Sequence, residues 1–271
     1  MPELPEVETA RRGIAPHLEG QRIAKVILRH TRLRWPIPPQ LKRHLTGNTI
    51  RRVGRRAKYL LLETDTGTVI LHLGMSGSLR ALPADTPARK HDHVDLVLEN
   101  GLCLRLNDPR RFGALLWHEG AIADHPLLAR LGPEPLDRST NGAYLFAQAQ
   151  GRKTAVKPFL MDNRIMVGVG NIYANEALFM AGLSPRRPAA ALTREECDRL
   201  CKAIKLILRN AIKQGGTTLR DFVRADGNPG YFTLQLKVYG QGGAPCPRCG
   251  AAIKQIRQGQ RSSFFCPRCQ H

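Results

Sequence analysis

The chain has 271 residues, 42% of them hydrophobic, which is enough for one large domain or two ordinary ones and too apolar for wholesale disorder. Lys and Arg total 42 against 22 Asp and Glu, a formal net charge of +20. Such a surplus draws polyanions and points to nucleic acid as the partner, with solubility alone or a ribosome-associated structural role as the alternatives. No run of about eighteen apolar residues is present, which argues against a membrane span, and the acidic start MPELPEVETARR does not read as a secretory signal, so a cytoplasmic setting is expected.

The first predicted element is a helix. Val7, Ala10, Ile14 and Leu18 share one face, and Glu3 and Glu6 fall in the first turn, where the helix dipole favours acid. Pro2 stands just ahead of it. Initiator methionine is commonly removed before proline. Pro2 would then carry a free secondary amine, able to attack an electrophilic sugar carbon and form a cationic iminium. Glu3 beside it is a candidate general acid or base. The alternative is that Pro2 and Pro5 only start the helix, since proline suits a first turn.

The rest of the first half reads as strand. Arg22 to His30, Arg52 to Glu63 and Thr68 to Arg80 are apolar runs bounded by turn residues. From His93 to Asp108, Val94, Leu96 and Leu98 alternate with polar residues, Asn100-Gly101 turns, and Leu102, Leu104 and Leu106 alternate again, a hairpin pattern. Strands at this spacing predict a β-sandwich or barrel. Leu131 to Gly151, rich in Pro, Gly and polar residues, reads as an interdomain linker.

The second half reads as helix. Asn171 to Ala181 is closed by Gly182. Thr193 to Glu196 is a capping box that opens an apolar face of Cys197, Leu200, Cys201, Ile204, Ile207, Leu208 and Ala211, ended by Gly215-Gly216. Cys197 and Cys201 on that face, and Cys103 on an inward strand face, read as core residues.

Seven cysteines, an odd number, suggest a reducing compartment where paired cysteines hold metal. Cys246-Pro-Arg-Cys249 and Cys266-Pro-Arg-Cys269, sixteen residues apart, have the spacing of a four-cysteine zinc site. Four protein ligands leave no open position, so the one Zn2+ expected is structural; a pair of disulfides is the alternative. Gly240 to His271 contains no acidic residue and five basic ones, Arg248, Lys254, Arg257, Arg261 and Arg268. A module this small needs the metal to fold. Its hairpin tip, Gln258 to Arg261, would present an arginine to a phosphate.

Seven segments in order, PELPEVET, RRAKYLLLE, HLGMSGSLR, DPRRFG, KPFLMDNRIMVGVGNIYANE, GGTTLRDFVRADGNPGYF and CPRCG…CPRCQ, resemble bacterial formamidopyrimidine-DNA glycosylases over essentially the whole chain. The resemblance implies an α+β multidomain protein. A helix plus β-sandwich would occupy 1–132, a helical helix–two-turn–helix domain 133–239 with a lesion-recognition loop at 217–231, and a four-cysteine zinc finger 240–271. DNA would lie in a basic cleft between the halves, with the damaged nucleotide flipped out because its C1′ cannot be reached inside the stack.

Residue by residue, the resemblance implies Pro2 as nucleophile and Glu3 as proton donor to the ring oxygen. Lys58, on a strand among apolar neighbours, would be the lysine near the sugar and its phosphate. Asn171 and Arg261 would grip the flanking phosphates, Arg261 counting with the catalytic set, and His72 would make a further backbone contact. Met75, Arg110 and Phe112 would form the wedge that fills the vacated stack; ordinary core is the alternative for Met75 and Phe112. The implied activity is excision of 8-oxoguanine and formamidopyrimidines followed by β,δ-elimination. The partner would be double-stranded DNA carrying oxidised bases or abasic sites, and the protein a monomer acting at the nucleoid without a membrane. The sister enzyme endonuclease VIII, for oxidised pyrimidines, typically begins PEGPE, and Leu4 departs from that. A non-catalytic damaged-DNA-binding protein on the same fold remains the other reading, and it would hold if Met1 were retained, since the Pro2 nitrogen would then be an amide.

Overall fold

The computed structural model describes residues 2–215 and 236–271. The expected lesion loop at 217–231 lies outside the described residues, as does Met1. The described residues fall into two compact units, one built on 2–129 and the other on 130–213 with 236–271.

The first unit opens with helix α1 (Leu4–Leu18), whose apolar face of Val7, Ala10, Ile14 and Leu18 is buried as the spacing predicts. The chain continues through β1 (Ile23–Leu28), a short helix α2 (Leu41–Leu45), β2 (Ile50–Arg56), β3 (Tyr59–Thr64), β4 (Thr68–His72), β5 (Ser78–Pro83), β6 (Asp92–Leu98), β7 (Leu102–Asn107) and β8 (Ala114–His118). The strands form two four-stranded antiparallel sheets, ordered β1-β6-β7-β5 and β2-β3-β4-β8. One apolar core takes Ile14 and Leu18 from α1, Leu41 from α2, Leu96 and Leu104 from the first sheet and Leu60 and Leu71 from the second. This is the β-sandwich that the alternating runs predict.

The Asn100-Gly101 hairpin is β6–β7, paired from Asp92↔Asn107 to Val97↔Cys103. Glu99, Asn100 and Gly101 form its loop, with Gly101 left-handed at φ 82°. The face of this hairpin turned away from the core is also buried, because Arg105 pairs with Asp95 at 2.8 Å and donates to the carbonyls of Thr86 and Pro87.

Two runs read as continuous strands are broken. Arg52 to Glu63 is a hairpin in which Arg56 pairs with Tyr59, so Lys58 is not on a strand but in the turn with Ala57. Side-chain alternation hid this turn because neither Ala57 nor Lys58 is a turn-forming residue type; Ala57 takes the left-handed φ of 54° that a hairpin turn demands. Thr68 to Arg80 divides into β4 and β5 around a turn at 74–76 that starts at left-handed Gly74, with Met75 in its middle.

The second unit contains α3 (Gly142–Ala149), α4 (Val156–Leu160), α5 (Asn171–Ala181), α6 (Arg194–Lys213), β9 (Lys254–Gln258) and β10 (Arg261–Phe265). The stretch Leu131 to Gly151 is therefore not a bare linker. Asn141 Oδ1 accepts from the Tyr144 N–H at 3.0 Å and caps α3, which buries Leu145 and Ala149 and packs on α6. The predicted ends of the other helices are present. Gly182 closes α5 at φ 73°, and Thr193 and Glu196 exchange hydrogen bonds of 2.9 and 3.2 Å ahead of α6. Among the described residues no helix is long and apolar enough to cross a membrane.

Candidate functional site

At the N-terminus, Glu3 is the N-cap of α1, and its N–H donates to Glu6 Oε2 at 2.8 Å in a reciprocal capping box. Pro5 occupies the first turn. Helix initiation is thus supplied by Pro5 and the capping box, whereas Pro2 lies ahead of the helix. Glu3 and Glu6 are both buried, at 3% and 0% exposure, an expensive setting for carboxylates that only start a helix.

Lys58, half-buried in the β2–β3 turn, stands next to Tyr59, which pairs across the sheet with His72. The two rings lie 5.0 Å apart. His72 Nδ1 accepts from the Gly74 N–H at 2.9 Å. Burial first, then the Lys58 and Arg34 charges, push the His72 pKa down to about 4. The imidazole is therefore neutral near pH 7. With Nδ1 accepting, the proton sits on Nε2, which makes that atom a donor without a charge. Arg34, which the sequence reading passed over, is exposed, its guanidinium 4.8 Å from the Trp35 ring centroid, and its N–H donates to the Gly113 carbonyl.

The Met75 turn and the loop carrying Arg110 and Phe112 are packed backbone to backbone. A Cβ on Gly74 would come within 2.4 Å of the Phe112 carbonyl carbon, and one on Gly113 within 2.7 Å of the His72 carbonyl oxygen. Buried Asp108 organises the second loop. Its Oδ2 accepts from the Gly113 N–H at 2.7 Å, and burial raises its pKa against the pull of the Gly113, Arg110 and Arg111 N–H groups. Arg111 is left-handed at φ 54°, a strained conformation for a non-glycine residue, and Arg110, Arg111 and Phe112 are all exposed. Phe112 is 44% exposed with the Arg110 guanidinium 4.8 Å from its ring centroid, and Met75 is half-buried. Neither apolar side chain is ordinary core.

In the second unit the four cysteine sulfurs lie within 4.8 Å of one another, with Cys246–Cys269 at 4.0 Å and Cys249–Cys266 at 3.5 Å. A tetrahedron of thiolates about 2.3 Å from zinc has edges of about 3.8 Å, so the donor set fits zinc. The same separations are far beyond a disulfide bond of about 2 Å. The metal would be held by Cys246, Cys249, Cys266 and Cys269 and would do no chemistry beyond folding the module. The fold also ties the finger to the helices. Buried Lys157 of α4 donates to the Ser262 carbonyl and to Ser263 Oγ, both at 2.7 Å. Asn175 of α5 accepts from the Phe264 N–H at 2.7 Å and donates to the Asn171 carbonyl at 2.6 Å. Glu176 accepts from the N–H groups of Lys237, Val238 and Tyr239 at 2.9, 3.0 and 2.9 Å.

Asn175 thus ties the backbone of Asn171, the first residue of α5, to Phe264 of β10. Arg261 stands exposed at the start of the same strand, after the Gly259-Gln260 turn, and takes no part in these bonds. Asn171 Oδ1 is buried without a hydrogen-bond partner. Lys157, Asn175 and Glu176 were missed as structural residues. Their signal was available, since all three are polar residues inside otherwise apolar helical segments, and such residues are buried only when paired. Cys197 and Cys201 are core: burial raises their thiols to about 11 and about 12, leaving them protonated and inert. Buried Cys103 is raised by burial as well.

Comparison with known proteins agrees with this arrangement. Residues 1–115 match the formamidopyrimidine-DNA glycosylase N-terminal domain, 131–223 the formamidopyrimidine-DNA glycosylase H2TH domain, and 243–271 a zinc finger found in FPG and IleRS. Together with the four-cysteine cluster, the last match gives the chain one structural zinc. The formamidopyrimidine-DNA glycosylase of Thioalkalivibrio sulfidiphilus is 59% identical over 270 residues, covering 100% of both chains. The Lactococcus lactis Fpg in complex with abasic-site DNA superposes with a TM-score of 0.91 at 34% identity, covering 99% of each chain. A Lactococcus lactis FPG mutant bound to Fapy-dG DNA gives 0.91 at 33% identity over 100% of each. A helix-capped β-sandwich, a helix–two-turn–helix domain and a four-cysteine finger, matched in order along the full length, place the chain in the formamidopyrimidine-DNA glycosylase family.

Proposed function

We propose that the protein is a bifunctional DNA glycosylase and abasic-site lyase of base excision repair, acting on 8-oxoguanine and formamidopyrimidines in duplex DNA. The observation that carries the reading is the N-terminus: Pro2 ahead of a helix that starts without it, beside two buried carboxylates. Once Met1 is removed, the Pro2 amine attacks C1′ and displaces the base, while Glu3 protonates the ring oxygen as the sugar opens. The product is an iminium between Pro2 and the opened sugar. Its electron withdrawal acidifies C2′, so loss of the 3′ phosphate and then of the 5′ phosphate follows, and water releases the amine. Lys58 supplies positive charge beside the sugar and its phosphate. His72 donates Nε2–H to the backbone, and Asn171 and Arg261 hold the flanking phosphates. Met75, Phe112 and Arg110 fill the emptied stack, where stacking and arginine hydrogen bonds offset the cost of unpairing.

Three domains, at 1–132, 133–239 and 240–271, divide this work among chemistry, DNA grip and phosphate clamp. The protein would act as a monomer on chromosomal DNA in the cytoplasm. Borohydride trapping on a duplex with 8-oxoguanine opposite cytosine tests the reading. A covalent adduct is expected, and it should vanish when Pro2 is replaced. No adduct from chains with a free Pro2 would leave only the binding protein on the same fold.

A further inference from the structure

The turn that carries Lys58 is strained, and a buried ion pair reaches it from α1. Ala57 is held at φ 54° although it is not glycine, a conformation that is unfavourable for an L-residue and persists only where the surroundings impose it. Arg55 Nη1 donates to the Ala57 carbonyl at 2.8 Å. The same guanidinium donates through Nε to Glu8 Oε2 at 3.1 Å. The two side chains are 12% and 11% exposed. Glu8 is fixed in turn from its own helix, by Arg11 Nη2 at 2.9 Å and Arg12 Nε at 2.8 Å. Burial alone would raise the Glu8 pKa, but the Arg11, Arg12 and Arg55 contacts overcome it and hold it at about 2. The carboxylate therefore stays charged at any assay pH.

We propose that Arg55, held by Glu8, is the positioning residue for Lys58: by clasping the Ala57 carbonyl it sets the peptide plane that enters Lys58 and so aims the lysine. The inference rests on the role proposed for Lys58 above. Only arginine suits the position, because its planar fork reaches a carboxylate and a carbonyl at once, which a lysine ammonium at the same place cannot do rigidly.

The test uses the full zinc-loaded chain with Met1 removed, in single-turnover cleavage of abasic-site duplex alongside Kd for the same duplex. Arg55→Ala, Arg55→Lys and Glu8→Gln are each expected to slow cleavage roughly 10- to 100-fold, as displacements of about an ångström do, with Kd changed less than about threefold. Glycine takes a positive φ without cost, so Ala57→Gly added to Arg55→Ala should move the rate by more than the two single changes predict, as groups in direct contact do; a loss of rate with Kd kept is what a merely structural role would not give. Arg55→Lys keeps the charge and covers the case in which Arg55→Ala fails to fold. Lys58→Ala separates the two levels of the argument. If it abolishes cleavage while folded Arg55→Lys and Glu8→Gln retain the full rate, the positioning role is overturned and the Lys58 role survives. If Lys58→Ala itself cleaves normally, both fall. A parallel loss in Kd and rate would make Arg55 a DNA-binding residue instead, and would also overturn the proposal.

Discussion

Arg110 and Arg261 are both exposed arginines on tight loops, but the two units hold them by different physics. Arg110 rides on a loop locked by sterics and backbone hydrogen bonds, with Gly74 against Phe112 and the Asp108 carboxylate on the Gly113 N–H. The strands on either side of this loop, β7 and β8, place Leu104, Leu106 and Leu115 in the large sandwich core. Arg261 rides on a hairpin whose own core is small, made chiefly of Val238, Ile253, Phe264 and two cysteines packed on Phe179 of α5. That hairpin relies on metal, and on the buried Lys157 and Asn175 contacts to its strand. The lesson is that a loop on a big core can be rigid through close packing alone, whereas a small module has to import its rigidity.

The widest break between the two regions should come from zinc removal. Zinc contributes on the order of 10 kcal/mol to the folding of such modules, so chelation should weaken DNA binding by more than about 100-fold while the thermal transition of the sandwich survives. Retained binding in zinc-free protein would mean that the helix contacts alone hold Arg261. The reciprocal break is Gly74→Ala. Its Cβ would meet backbone at 2.4 Å, so excision of 8-oxoguanine should fall roughly 10- to 100-fold with zinc content unchanged, as metal analysis of the same sample would show.

His72 gives a pH-dependent contrast. Its pKa is lowered from 6.5 to about 4, so the unfolded chain binds the extra proton first as pH falls. Stability from the neutral imidazole is therefore complete above pH 6.5 and is lost as pH drops toward 4, by no more than about 3 kcal/mol and less after solvent screening. His72→Gln should flatten urea-unfolding profiles in that window; an unchanged profile would show that the imidazole is charged in the fold. The smallest effect is that of Arg261→Ala, which should lower the slope of log affinity against log salt by about one counterion. Binding titrations at several salt concentrations would show it, and an unaltered slope would remove Arg261 from the phosphate contacts.

Much of this was legible in the sequence. Apolar spacing placed α1 and α6, Gly182 marked the end of α5, cysteine spacing placed the metal, and Asn100-Gly101 placed one hairpin. The Lys58 turn was not legible because Ala57 forms it against its own preference, and tertiary contacts from Arg55 and Glu8 stabilise a conformation that local propensity disfavours. Helix α3 was hidden by the Gly and Pro around it, although its Asn141 cap was in plain view. The exposure of Phe112 could not be read from its type, since an apolar residue in a glycine-bounded loop fits a core as well as a wedge. What sequence pattern reports is burial that repeats; the site is built largely from single exceptions to it.

The central claim is that the chain's terminal amine carries the chemistry. The most direct measurement is mass spectrometry of the borohydride-trapped complex after nuclease and trypsin digestion. The account predicts that the added sugar mass lies on the peptide spanning residues 2–11, on the Pro2 nitrogen, with Met1 gone. A sugar mass on a peptide containing Lys58 or Lys157, with the N-terminal peptide unmodified, would contradict it.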